Sequence, residues 1–538
     1  MTWSPSERWA GLYCLGIVLL IVFRPVHSWN ESVSLLGSHT IADPLFLSGD
    51  WSTGGSPFAT TKATFNLLVA PFWWLIGDGL IIAMTGRVVA SVLVLRGLFE
   101  VTRHMKVAPW LVCLGFSLWL LGDKQSLAAG EWIFGGFEPK IFSYACLLFA
   151  LSFAIRGRLA TAGALSGLAS AFHILVGTYG MLALGAATAF DFRRHGHKRV
   201  VRFALSALPF SIVALVLGAK YLQGGETSDA REQIDWIMVH FRNPHHLDPR
   251  YFLGIWEIAY GVLMVAVVAY CLWRHAPRDA ARVVLPFLMV LCGIFVGGVL
   301  ASAVGWDLPL RFYPFRVADT LLPLFFWLTV ALWFGHVLTD LRVPEKRRKP
   351  GGWIVLAGLS LLIFLEVPDV SKRLVRNVTK TGSSWSQVWR GERTTKQEVL
   401  DWVRLNTPRS VNFLVPVCLD EFWLEAERPA LVLHKLAPSN HRAIEWFERL
   451  KAANGGHEIQ AVGFGICREI DSNYRKLSEE ALSEVAGRYS LTHYLVDRRR
   501  PELDDRMVFS NEEWWVYEIG STPNAVAVEV GARNLAVF

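Results

Sequence analysis

Residues 156–199 read RGRLATAGALSGLASAFHILVGTYGMLALGAATAFDFRRHGHKR. The apolar stretch 159–191 is too long for one membrane span of about 20 residues and too short for two long ones. Both flanks are basic: Arg156 and Arg158 precede it, and Arg193, Arg194, Lys198 and Arg199 follow. Lys and Arg in short loops mark the cytoplasmic side of a membrane. With both flanks inside, the chain must cross twice, which puts His173 and Gly177 near the far turn.

The same logic extends outward. The chain has 538 residues, 53% hydrophobic and 18% charged, against about 25% charged in soluble domains. The apolar runs end at Glu366, and the composition turns polar after Pro368. This places a transmembrane domain at 1–367 and a soluble domain at 368–538. Candidate spans are 8–25, 79–99, 108–123, 139–156, 159–173, 174–191, 200–220, 253–273, 282–303, 317–338 and 352–367, about eleven in all. The first follows Arg8 and lacks a small-residue cleavage site, so it reads as an uncleaved span. The apolar segment 65–77 contains Trp73-Trp74 and suits an interfacial helix, where aromatic rings favour the boundary. Counting it as a crossing would put the basic segment Arg103–Lys106 outside. The N-terminus is then cytoplasmic, Lys346–Lys349 is a cytoplasmic anchor, and the C-terminal domain is extracytoplasmic. The formal charge of +7 is spread over these loops, not gathered into a nucleic-acid surface.

This arrangement collects the unusual polar residues on one face. They include Asn30-Glu31, Asp43, Asp50, the segment Glu131–Lys140, His173, the loop 221–252 with His240, Arg242 and His245-His246, and Asp307, Arg311, Tyr313, Arg316 and Asp319. Ionisable groups at membrane depth are costly and are kept for function or for pairing. Glu138, Lys140, Arg316 and Asp319 flank or enter apolar spans, and an ion-pair network closing the bundle is the structural alternative. Arg and Lys suit phosphate recognition, and a carboxylate beside them can take a proton from a hydroxyl. Such a surface matches transfer of a group from a lipid phosphate carrier. The paired His245-His246 lack a partner at zinc-ligand spacing.

The segments Ala42–Phe46 with Asp50, Phe134–Lys140, Ala171-Phe172-His173 with Val176-Gly177, and Arg311–Asp319 together resemble the GT-C superfamily of polytopic glycosyltransferases. Within it, the chain is similar to a group of uncharacterised bacterial membrane proteins. Phe413–Pro416 and Arg428-Pro429 carry the likeness into the C-terminal domain. The resemblance implies a polyprenyl-phosphate-linked sugar as donor, an acceptor on the outer face of the inner membrane, and an acidic catalytic residue in the first outer loop. Asp43 is the first choice, Asp50 the second, and Glu31 the third. Lys140, Arg311 and Arg316 would meet the donor phosphate, with Glu138, His173, Tyr313 and Asp319 around it. Some members use a divalent metal, magnesium or manganese, held by carboxylates, and others need none. A transporter or flippase, or a non-catalytic scaffold, are the rival readings. No internal repeat supports transport.

In the soluble part, Thr395–Leu405, His441–Ala453 and Leu477–Tyr489 have helical patterns, and Val411–Val417, Ala430–His434, Tyr494–Val496 and Trp514–Glu518 read as strands. A small α/β unit follows. Cys418 and Cys467 either pair or remain free thiols.

Overall fold

The computed structural model describes residues 3–53, 60–122, 125–190, 192–222, 227–341, 352–438 and 440–520. The basic anchor 346–349 lies outside them. The chain is predominantly helical, with a small sheet in its C-terminal part.

The principal helices are α1 (Pro5–Val22), α2 (Gly79–His104), α3 (Pro109–Leu121), α4 (Pro139–Ile155), α5 (Leu159–Phe172), α6 (Ile174–Phe190), α7 (Phe192–Leu222), α8 (Ile255–His275), α9 (Arg278–Ala303), α10 (Arg316–Leu341) and α11 (Gly352–Trp389). Five of them, α1, α2, α8, α9 and α10, are long and apolar enough to cross a membrane. The chain is a multi-pass membrane protein. The stretch 159–191 folds as two helices broken at His173, as its length requires. The α5 and α7 backbones come close because Gly163 and Gly167 face them: a Cβ there would stand 2.1 Å from the Phe203 carbonyl and 2.2 Å from that of Ala207.

Polar residues sort to the two ends of the bundle. At one end Arg103 pairs with Glu7 at 2.7 Å and Arg156 with Glu100 at 2.6 Å. Arg156 caps α4, whose opposite end is Glu138. At 1.5 Å per residue these ends lie about 25 Å apart. The segment expected at the interface is a helix, Ala63–Ile76, with Leu67, Phe72, Trp74 and Leu75 exposed and Phe65, Val69 and Trp73 buried. Trp73 donates to Ser38 Oγ at 2.9 Å, fixing the helix to the first loop.

α11 continues through Pro368 to Trp389, past the compositional boundary at 368. Beyond it, strands β1 (Phe413–Leu414), β2 (His493–Val496), β3 (Met507–Ser510) and β4 (Trp515–Glu518) form one sheet in the order β1-β2-β4-β3, with β1 and β2 parallel and the other pairs antiparallel. The helices expected near 395–405, 441–453 and 477–489 are present. The expected strand 411–417 shrinks to two residues, and 430–434 makes a single bridge to Phe413. Helix Gly465–Tyr474 and strand β3 escaped the sequence reading. Cys418 and Cys467 form a disulfide.

Candidate functional site

Where the N-terminal ends of α4 and α10 meet the loop 125–138, a cavity of about 620 Å³ opens. Glu138, Lys140, His173, Arg311, Tyr313 and Arg316 all line it. All but Tyr313, which lies in the turn before α10, are placed by a helix end. Glu138 precedes Pro139, whose fixed φ starts α4, and Lys140 follows one residue later. His173 is the break between α5 and α6, and Arg316 begins α10.

Glu131 is the hub of this group. Its carboxylate accepts from Arg316 Nε at 2.6 Å and stands 3.6 Å from Lys140 Nζ and 3.8 Å from His246 Nδ1. Burial pushes the Glu131 carboxyl up, but Arg316 and Lys140 outweigh burial and hold it below the usual carboxylate range. Arg316 also lies 4.1 Å over the Tyr313 ring and 3.4 Å from His173 Nε2. Tyr313 adopts a left-handed φ of 52°, a conformation that costs energy in a non-glycine residue and recurs at functional sites. Lys140 lies 4.0 Å over the Trp132 ring and 3.5 Å from Glu138. Glu138 in turn accepts from the Asn30 amide at 3.1 and 3.2 Å.

Four lining residues come from segments that local sequence did not single out as phosphate ligands. Lys62 stands at the start of helix Ala63–Ile76. Arg242 ends a π-helical turn, Ile237–Arg242, a geometry common at functional sites. His246 reaches Glu131, and burial pushes its ring down to about 4, so it is neutral at pH 7. Lys435 comes from the C-terminal domain, held in place because Arg242 donates to the carbonyls of His434 at 2.7 Å and Lys435 at 3.1 Å. Burial, then Arg242, pushes the Lys435 ammonium down to about 8. In all, six basic side chains line the cavity against the two carboxylates Glu131 and Glu138.

The other expected residues stand outside this lining. Asp319 is fully buried below it, and its carboxylate accepts from Ser126 Oγ at 2.6 Å and the backbone N–H groups of Ala128 and Ala129 at 2.7 and 2.8 Å. It thereby shapes the loop that carries Glu131. Glu31 is buried in an ion pair with Arg87 and accepts from the Phe137 N–H. Asp43 pairs with Arg409 of the C-terminal domain at 2.7 Å, and Asp50 accepts from the Ala430 N–H at 3.2 Å. These two aspartates therefore dock the C-terminal domain onto the first loop.

The donor sets for a metal are limited. The space between Glu131 and Glu138 already holds a cation, the Lys140 ammonium, so a magnesium or manganese ion does not fit between them while it is there. Cys418, His434 and Cys467 bring ligand atoms within 4.8 Å of one another, a set compatible with a softer metal, although the two sulfurs are bonded to each other.

The family described as a domain of unknown function, DUF6798, matches residues 394–453. No curated protein sequence matches this chain. Among solved structures, the archaeal oligosaccharyltransferase AglB from Archaeoglobus fulgidus, in complex with an inhibitory peptide and a dolichol-phosphate, is similar over 91% of this chain and 69% of that one, at TM-score 0.52 and 12% identity. A second structure of the Archaeoglobus fulgidus enzyme, with Zn and sulfate, covers 91% and 68% at 12% identity and TM-score 0.45. At such identity the first likeness establishes a shared fold.

Proposed function

We propose that this protein is a GT-C-type glycosyltransferase that moves a sugar from a polyprenyl-phosphate carrier to an acceptor at the extracytoplasmic face. The observation that carries the reading is a cavity at the outer end of the bundle lined by six Lys and Arg side chains against two carboxylates, an excess that persists with Arg311 paired to Asp235 behind the wall. The carrier phosphate would lie among Lys140, Arg311 and Arg316. The similar AglB structure holds a dolichol-phosphate, which supports a lipid-linked donor here. The topology in this reading keeps about eleven crossings, with the N-terminus cytoplasmic and the C-terminal domain outside.

In the transfer step the acceptor oxygen attacks the anomeric carbon. The bond from that carbon to the phosphate oxygen breaks, and the polyprenyl phosphate leaves with the electron pair. Its new negative charge falls among fixed cations, which is where preorganised electrostatics lowers the barrier most. The acceptor proton passes to Glu138. Glu131 suits this role less, because Arg316 and Lys140 already hold it as a carboxylate. The first-loop acids Asp43, Asp50 and Glu31 act in this reading through structure, since each is engaged away from the cavity.

Sugar transfer in membranes carrying Glu138→Gln or Asp43→Asn tests the assignment. Glu138→Gln is expected to lower transfer by about 100-fold or more, whereas Asp43→Asn keeps it within a few fold. The reverse ranking returns the catalytic role to the first loop. Transfer unchanged by both, and by Arg316→Gln, rejects the enzyme.

A further inference from the structure

A second chamber of about 510 Å³ adjoins the first. The two share Asn30, Trp132, Lys435 and Phe464 as walls, and the Glu138 carboxylate is held at that seam by Asn30. Its chemistry differs from the first chamber: no carboxylate lines it. Arg24, His27 and Lys435 face it, Lys435 with Asp420 as a charged neighbour, and Arg87, also in the wall, is matched by Glu31. Arg24 donates to Asn377 Oδ1 at 3.2 Å and Thr381 Oγ1 at 3.4 Å, both neutral acceptors that leave its charge unmatched. His27 Nδ1 and Ser28 Oγ are buried without a hydrogen-bond partner, and buried orphans of this kind call for an explanation. The remaining wall includes Ile21, Val22 and Val26. Ile21 and Val22 form the last turn of α1, a helix apolar enough to span the membrane.

We infer that this second chamber is the acceptor subsite, and that the acceptor is an anionic amphiphile bearing a hydroxyl. The inference rests on the transferase reading above and adds the acceptor class to it. The cations Arg24 and Lys435 hold the acceptor's phosphate or carboxylate, the orphan His27 and Ser28 atoms bond its polar head, and its chain lies against the end of α1. Its hydroxyl then reaches the seam, where Glu138 takes the proton.

The test uses the full-length protein in detergent and native mass spectrometry of retained ligand. The probes are dioleoylphosphatidylglycerol, dioleoylphosphatidylcholine, sn-glycerol 3-phosphate and, for the first cavity, farnesyl phosphate. Phosphatidylglycerol is expected to bind over phosphatidylcholine. Loss of one charge-assisted hydrogen bond in Arg24→Gln lowers its binding about tenfold. Val26→Trp, a change at a half-exposed wall residue that fills the chamber without removing a hydrogen bond, has the same effect. Arg316→Gln leaves phosphatidylglycerol binding unchanged and weakens farnesyl phosphate. Equal retention of phosphatidylglycerol by Val26→Trp, at unchanged melting temperature, overturns the proposal. So does its loss in Arg316→Gln, or its displacement by glycerol 3-phosphate at the same concentration. Failure of the donor reading shows separately, as wild-type protein that does not bind farnesyl phosphate.

Discussion

Arg87 shows how one residue sets the approach to the cavity. Its guanidinium donates to the carbonyls of Val22 at 2.8 Å, Arg24 at 2.7 Å and Val26 at 2.7 Å, and to Glu31 at 2.6 Å. It closes the open end of α1 and anchors the short helix carrying Asn30. Arg87→Met leaves the buried Glu31 charge without its counter-ion and takes this donor from the carbonyls of Arg24 and Val26, while Val22 keeps the Arg24 N–H. The expected loss is about 3 kcal/mol or more, read as a lower melting temperature, and an unchanged melting curve would refute the clamp. Asp319→Asn removes one of the two oxygens that together accept from Ser126 and three backbone N–H groups, those of Ala128, Ala129 and Glu131. It should cost about 2 kcal/mol and weaken donor binding through the Glu131 loop. Lys435 gives a pH signature. Burial pushes it down to about 8, below its ordinary value, so it is charged below pH 8 and neutral above. Phosphate affinity should therefore fall as pH rises through about 8, a step absent in Lys435→Met. Stability runs the other way, because the folded state disfavours the charged ammonium and gains as pH rises from 8 toward the unfolded value. A phosphate affinity flat across this range would remove Lys435 from the site.

At the scale of elements, helix Ala63–Ile76 joins the cavity to an exposed apolar face. Lys62 at its start lines the cavity, while Trp74 and Leu75 are 67% and 79% exposed. Such an apolar face belongs at the membrane boundary. A nitroxide at Leu75 in liposomes should relax more with oxygen than with an aqueous nickel chelate, and the opposite ratio would take the helix off the bilayer. Much of this element was legible: its length excluded a long span, and Trp73-Trp74 marked a boundary. Glu138, Lys140 and Arg316 were legible for a related reason. Each sits at the start of an apolar helix, where a charge stands out. Lys62, Arg242 and Lys435 were not assigned to the phosphate because they reach the cavity through tertiary packing, the last from the C-terminal part of the chain. Asp43 and Asp50 show in the sequence only as loop carboxylates, because Arg409 and the Ala430 N–H are brought against them by the fold. The short strands near 413 and 430 were overread because their buried apolar residues pack without a full ladder.

For the whole molecule, the C-terminal domain is part of the site. It closes the cavity with Lys435 and Phe464 and is docked by Asp43, Asp50 and Arg242. The likeness to AglB extends over 91% of the chain and so includes this domain. The claim on which the account depends is that the basic cavity at the outer end of the bundle holds the carrier phosphate. The most direct measurement is a cryo-electron microscopy map of the full-length protein with bound polyprenyl phosphate. The account predicts phosphate density within hydrogen-bond reach of Lys140, Arg311 or Arg316, with the lipid chain leading toward the bilayer. A carrier bound elsewhere, with this cavity filled only by water, would contradict it.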